Sequence, residues 1–174
     1  ADESSTVSGA LTQSGDIVID VADNKTLTYS GAAISLGANT LTLIGGGTLS
    51  NTNAFVLNNA NSKLLLNSIT VDSVSTTIDN SLGVDVDNNS TITSLSVANI
   101  TPVSIASGKS LSGAITVTAG SLKLNETGTL ASTIAMSGGV LDADNSLTVS
   151  GALTQSGAIT IDVADNKTLT YSGA

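Results

Sequence analysis

The sequence predicts an all-β protein built as a parallel β-solenoid. Three observations point there. Apolar residues alternate with polar ones at a period of two in short runs, as in "DIVIDV", where Ile17, Ile19 and Val21 alternate with Asp16, Val18 and Asp20. Gly, Asn and Ser interrupt such runs every few residues, and no helical period survives for three turns. Finally, one long passage occurs twice, once from Thr6 to Ala32 and once from Thr148 to Ala174.

The duplication sets the organisation of the chain. "TVSGALTQSGDIVIDVADNKTLTYSGA" and "TVSGALTQSGAITIDVADNKTLTYSGA" match without a gap and differ at only two positions. These are Asp16 against Ala158 and Val18 against Thr160, both on the outward phase of the strand pattern. Fortuitous similarity does not produce such a match. Residues 1–174 are expected to form one continuous solenoid segment, with 6–147 as one tandem unit and 148–174 as the start of the next.

Inside the unit a looser motif recurs: a turn segment, usually with Asn, followed by apolar residues spaced by two. It runs "NKTLTY" (24–29), "NTLTL" (39–43), "NSKLLL" (61–66), "NSLGVDV" (80–86), "GKSLSGAITV" (108–117), "GTLASTIAM" (128–136), "NSLTV" (145–149) and again "NKTLTY" (166–171). The leading leucines, Leu27, Leu41, Leu64, Leu82, Leu111, Leu130, Leu147 and Leu169, make seven steps across the unit. That is a mean of about 20 residues per rung, within the range of short solenoid repeats. The long step from Leu82 to Leu111 contains "NSTITSLSVANITPVSI", which has room for an extra turn, so the unit holds seven or eight rungs.

Each rung is too short to bury its inward Leu, Ile and Val alone and must stack them on the next. Leu41/Leu43, Ile69/Val71, Val84/Val86, Ile115/Val117 and Leu122/Leu124 are the expected inward pairs. Thr26, Thr28, Thr40 and Thr42 face outward, where threonine suits an exposed strand face. The Asn residues suit turns, because Asn tolerates the left-handed conformation and its amide can bond a neighbouring rung. At ~4.8 Å per rung, seven rungs advance roughly 34 Å. A string of Ig-like sandwiches of about 70 residues each is the rival architecture, against which stand the short strands and the dissimilar halves of the unit.

Composition narrows the function. The 174 residues include no Cys, His, Trp or Arg; five lysines face 14 acidic residues for a net charge of −9. Charged residues are 11% of the chain against the ~25% usual in globular domains. No basic footprint exists for nucleic acid, and no apolar run approaches the ~18 residues of a membrane-spanning helix. No secretory leader is legible, as expected of a mature or excised segment.

"NKTLTYSG", "GANTLTLIGGGTLSN" and "NSKLLLNSITV" resemble the rungs of bacterial autotransporter passengers, filamentous-haemagglutinin-like exoproteins and giant repetitive adhesins. The resemblance covers nearly the whole chain and implies a right-handed parallel β-helix, secretion, and a stalk or fibre on the cell surface.

Catalysis lacks its usual residues. Without His or Cys, neither a Ser–His–Asp triad nor a thiol–imidazole pair can be assembled. Lyases of β-helical shape rely on an Arg or Lys base, and there is no Arg; hydrolases need paired carboxylates across a cleft. Tyr29, Phe55 and Tyr171 are the aromatic residues, too few for a sugar-stacking platform.

The acidic pairs are the strongest chemical signal. Asp85 and Asp87 in "DVDNN" lie on one strand face with Asn88 following; Asp142 and Asp144 in "DADN" do likewise before Asn145. "DVADN" adds Asp20, Asp23 and Asn24, with copies at Asp162, Asp165 and Asn166. Facing pairs on stacked rungs are weak candidates for Ca²⁺, a hard cation that wants several oxygen ligands. Against this stand the missing EF-hand and GGxGxD signatures and the plain alternative of solvated Asp at strand ends.

Asn-x-Ser/Thr sequons at Asn24, Asn88, Asn89, Asn99, Asn125 and Asn166 are expected from so Asn- and Thr-rich a composition. Lys25, Lys63, Lys109, Lys123 and Lys167 are expected outward, and Pro102 at a turn or strand edge.

The function that follows is a structural segment of a long extracellular filament, stalk or surface fibre, without catalysis or cofactor. Its partners are neighbouring repeat units, or copies of itself end to end, with contact to a cell surface or matrix as a further partner. No nucleic acid and no membrane insertion are expected. The alternative is an adhesin region that binds a host, cell or surface ligand, which would show an exposed apolar or aromatic patch once per unit, or a calcium-stabilised passenger stalk. Phe55, in "NAFVL", is expected in the core.

Overall fold

A computed structural model describes residues 1–76 and 81–173. The described residues contain strands and turns but no helix, and every strand pairing is parallel. The chain coils as a β-solenoid of about eight rungs.

The first rung carries β1 (Ser5–Val7) and β2 (Ile17–Asp20). The second carries β3 (Thr26–Tyr29), β4 (Ile34–Ser35) and β5 (Thr40–Ile44), and the third β6 (Thr48–Asn51), β7 (Phe55–Leu57) and β8 (Lys63–Asn67). In the fourth to sixth rungs the first two strands merge. These rungs hold β9 (Thr70–Thr76) and β10 (Gly83–Val86), β11 (Ser90–Val97) and β12 (Thr101–Ile105), and β13 (Ser110–Val117) and β14 (Ser121–Leu124). The seventh rung splits again into β15 (Thr129–Leu130), β16 (Thr133–Met136) and β17 (Val140–Ala143). The eighth is β18 (Leu147–Val149), β19 (Leu153–Gln155) and β20 (Thr160–Val163), and β21 (Leu169–Tyr171) opens a ninth.

These strands make two sheets. An eight-stranded sheet runs β2-β5-β8-β10-β12-β14-β17-β20, one strand per rung, and a thirteen-stranded sheet takes the rest. The repeat unit therefore contains a whole number of rungs. β1 and β18 are sequence equivalents and lie seven steps apart along the ladder, which settles seven rungs rather than eight.

The period-two pattern reads directly onto the fold, because a strand shows alternate side chains to its two faces. Ile17, Leu41, Leu64, Val84 and Val103 stack in one inward column of the eight-stranded sheet. Ile34, Phe55, Val74, Leu95, Ile115, Ile134 and Leu153 form an unbroken column across seven rungs of the other. All the expected inward pairs, and Phe55, are buried. Val18, Asp20, Thr42 and Lys63 take the outward phase.

Rung by rung, the leucine count needs correction. Leu27 and Leu41 belong to one rung, on different sheets. Leu82 is 51% exposed, and Val84 takes the core position beside it. The rung without a leading leucine is β11–β12, which lies within "NSTITSLSVANITPVSI", the stretch with room for an extra turn. One leucine too many and one rung missed cancel, so the total of seven is right although its markers mix both sheets. Spacing between stacked residues runs from 19, at Leu111 and Leu130, to 24, at Ile17 and Leu41.

Turn chemistry follows the asparagine expectation in part: some turn asparagines are left-handed and others bond through their amides. Among the described asparagines, Asn24 and Asn166, equivalent positions of the two copies, have left-handed backbones, with φ of 58° and 59°. Asn39 and Asn145, also named in turns, and Asn51, at the end of β6, act through their side chains, while Asn80 lies outside the described residues. Asn39 Nδ2 donates to the Leu36 carbonyl at 2.9 Å, Asn51 Nδ2 reaches the Ser73 carbonyl one rung on at 3.0 Å, and Asn145 bonds the Asn125 carbonyl. Pro102 is not at an edge. It is the second residue of β12, with β10 and β14 on either side.

Gly113 is required by close approach. Its φ is 119°, a Cβ there would lie 1.8 Å from the Ile92 carbonyl oxygen, and the register between β11 and β13 shifts at that point.

Leu64 is fully buried between Leu41 and Val84. Leu64→Ala should cost ~2–5 kcal/mol of unfolding free energy, whereas Val18→Ala, at an outward position, should stay within ~0.5 kcal/mol. Urea denaturation of both variants checks this.

Candidate functional site

The acidic pairs lie on the outer surface of the eight-stranded sheet and its following turns, as their outward phase requires. They meet lysines. Lys63 of β8 makes an ion pair with Asp85 of β10 on the next rung. Lys123 of β14 reaches both Asp142 (3.5 Å) and Asp144 (3.4 Å) of the following rung. These contacts follow from the rung period, since Lys123 and Asp142 are directly paired across the ladder. The recurrence of opposite charges about one rung apart was the sequence signal for them.

Asp87 is exposed, and with Asp85 and Glu126 it borders a shallow hollow that also includes Ser104 and Ser107. Asp23–Asn24 and Asp165–Asn166 occupy identical turns, closed by Lys25 N to Ala22 O and Lys167 N to Ala164 O, both at 3.0 Å. Among the described residues no group of three or more acidic side chains is arranged to hold a metal ion.

The sequons fall between strands. Asn24, Asn88, Asn89, Asn125 and Asn166 lie in turns entering the thirteen-stranded sheet, and Asn99 in a turn leaving it. Asn89 Oδ1 accepts from Ser110 N at 3.0 Å, which ties that amide to the next rung. Lys25 pairs with Glu3 at 3.1 Å; Lys109 is half-buried and Lys167 exposed.

The Lys123 cluster is electrostatically uneven. Asp142 is paired in register with Lys123 on one side and Asp162 on the other. Burial pushes the Asp142 carboxyl above the usual carboxylate range, and the Asp144 and Asp162 charges push the same way. The Lys123 ammonium pulls back without cancelling them. Burial alone would lower the pKa of Lys123, but its two carboxylate partners outweigh it and hold the ammonium above its usual range. One cation is shared among like charges, so the lysine gains from the cluster and Asp142 does not.

Most of the exposed large apolar side chains, among them Val7, Leu11, Ile161, Val163 and Tyr171, lie in the first and last rungs. At the N-terminal mouth Val7, Leu11, Ile17, Ile19, Leu27 and Tyr29 line an open cavity of about 300 Å³. The two sequence copies offer an internal comparison, because the same residues sit at opposite ends. Val7 is 45% exposed where its equivalent Val149 is 1%, while Tyr29 is 4% exposed and Tyr171 48%. Val21 and Val163, at 0% and 38%, follow Tyr29 and Tyr171. The tyrosine contact is nevertheless kept in both copies, although residues 153–155 form β19 and residues 11–13 form no strand: Leu11 N donates to the Tyr29 hydroxyl at 3.2 Å, and Leu153 N to that of Tyr171 at 3.1 Å. Each copy keeps its own bonds and lacks a neighbour on one side. Sequence reasoning named the repeat but not these mouths, since exposure at an end depends on what stacks there.

Compared with known proteins, the chain matches no family model, no curated protein and no solved structure. The solenoid geometry and the duplicated rung are the grounds for a functional reading.

Because the Asp142 pKa is raised in the folded state, the stability linked to it is present below the ordinary carboxylate value. It is lost as pH rises through the raised one. The stability difference between the parent chain and Asp142→Asn should therefore shift in favour of the parent as pH falls from neutral through the carboxylate range. Denaturant midpoints of both chains across that range measure it; a constant difference would contradict the assignment.

Proposed function

We propose that this chain is a structural segment of a long extracellular filament, stalk or surface fibre, in which successive units equivalent to residues 6–147 stack axially. The observation that carries the reading is reciprocal burial: residues 5–21 and 147–163 share nearly one sequence, and each copy leaves exposed apolar residues that the other buries. A sequence used in both settings is suited to neighbours above and below, which a continuing array supplies.

The whole number of rungs per unit supports the same reading. The eighth rung rests on the seventh through β16–β19 and β17–β20, with Ile134 on Leu153 and Leu141 on Ile161. A preceding unit would seat its last rung under Val7, Leu11 and Ile19 by the same contacts. In this reading the chain does no chemistry. It contributes stiffness through an axial hydrogen-bond ladder and a continuous apolar interior. The near-absence of charge in the inward phase and the Thr-, Ser- and Asn-rich exterior suit a fibre in contact with water. The resemblance to bacterial surface exoproteins supports the extracellular placement.

Electron cryo-microscopy of the native assembly should show a ~4.8 Å axial spacing and a longer repeat near seven times that. Discrete globular beads would refute the fibre. In solution, a chain carrying the unit twice should unfold at higher urea than the chain of 174 residues, because one pair of mouths is then spread over more rungs. Equal midpoints would mean that the units do not couple.

A further inference from the structure

The two sheets differ sharply in what they show to solvent. The strands of the eight-stranded sheet carry Asp20, Lys63, Asp85, Lys123, Asp142 and Asp162. Among the described strand residues of the thirteen-stranded sheet, Asp72 is the one charged side chain, half-buried with its carboxylate accepting the Ser50 hydroxyl at 2.7 Å. The rest of that outer face is short and neutral. One column runs Ser35, Val56, Ser75, Ser96, Thr116, Ala135 and Thr154, each paired with the next.

We propose that the outer face of the thirteen-stranded sheet is a lateral docking surface for a second copy of this chain, two solenoids lying side by side. Charge decides the orientation. A chain with a net charge of −9 repels its own copies, and this face brings two of them together with the fewest like charges at the contact. Area sets the strength of the contact. The column from Ser35 to Thr154 crosses seven rungs, which at ~4.8 Å each and up to about four residues per strand beyond the corner at ~3.3 Å span roughly 34 by 13 Å. Two such faces would bury about 900 Å², the size of a weak, transient contact. Short side chains in straight columns also let two sheets approach closely and lose little rotamer freedom on contact. A polysaccharide fits the face less well, because Tyr29 and Phe55 are buried and Tyr171, the one exposed aromatic side chain, lies on the last strand, which leaves the face no run of aromatic rings to stack a sugar chain. The inference does not depend on the tandem array. In an array each added unit would bring another copy of the contact and raise avidity.

Sedimentation equilibrium of the same chain, from micromolar to millimolar and at low and high salt, tests it. The expected result is a dimer that grows with concentration and is strengthened by salt, which screens the repulsion between copies. Thr93→Glu with Ala135→Glu, two exposed positions on the face, should weaken the dimer more than ~10-fold at high salt. Leu82→Glu with Ser107→Glu, exposed beside the eight-stranded sheet, should leave it within about twofold under the same screening. Circular dichroism checks folding, and Ala114→Glu alone replaces the first pair should that pair unfold. A monomer at every concentration overturns the proposal. So does a dimer dissolved by salt, or one indifferent to the face substitutions, which would point to the mouths instead. A monomer that binds insoluble polysaccharide through this face would also overturn it, with a glycan as the occupant.

Discussion

A parallel strand left at an edge exposes a row of N–H and C=O groups that another strand must satisfy. In this chain each rung meets that demand for the one below it, and the same register that aligns the hydrogen bonds aligns the side chains. Ile34 through Leu153 are stacked because their strands are paired, and their strands stay paired because a slip of one residue would turn every inward Leu and Ile to water. The corners adapt to this constraint. Gly113 absorbs the register shift between β11 and β13, and rungs with longer corners divide one strand into two while the inward column continues.

The same ladder organises the surface. Residues about one rung apart in sequence become neighbours, so Lys63 meets Asp85 and Lys123 meets Asp142. Placing Lys123 between Asp142 and Asp144 supplies positive charge where two carboxylates would otherwise repel. Such half-exposed pairs add little to stability by themselves. They do lie together on one sheet, while the strands of the other are nearly neutral.

Strand character and inward residues were legible in the sequence because alternation at a period of two belongs to strands and not to helices. The integral repeat was legible because two passages that differ only at Asp16/Ala158 and Val18/Thr160 fix its length. The assignment of leucines to rungs failed for a physical reason: two sheets use the same turn-plus-leucine phrase, so Leu27 and Leu41 look like successive rungs when they share one. Leu82 carries the phrase without the burial. For the acidic pairs, the outward phase was legible, but matching them to Lys63 and Lys123 needs the rung offset residue by residue, which the leucine markers blurred by mixing both sheets. Pro102 misled because prolines favour edges, whereas here the ladder continues on both sides of it.

A unit that closes on a whole number of rungs has a property that an arbitrary length of chain lacks. Thr148 meets its surroundings in the phase in which Thr6 met its own, inward side chains inward and first strand in the first sheet. One unit can then be deleted, or another inserted, without creating a new kind of junction, because each join reproduces contacts already present between the seventh and eighth rungs. In the proposed array, recombination between such units would yield longer or shorter chains with the same kind of junction throughout. Length becomes a quantity that heredity can adjust in steps of about 34 Å, while the local physics of every step stays the same.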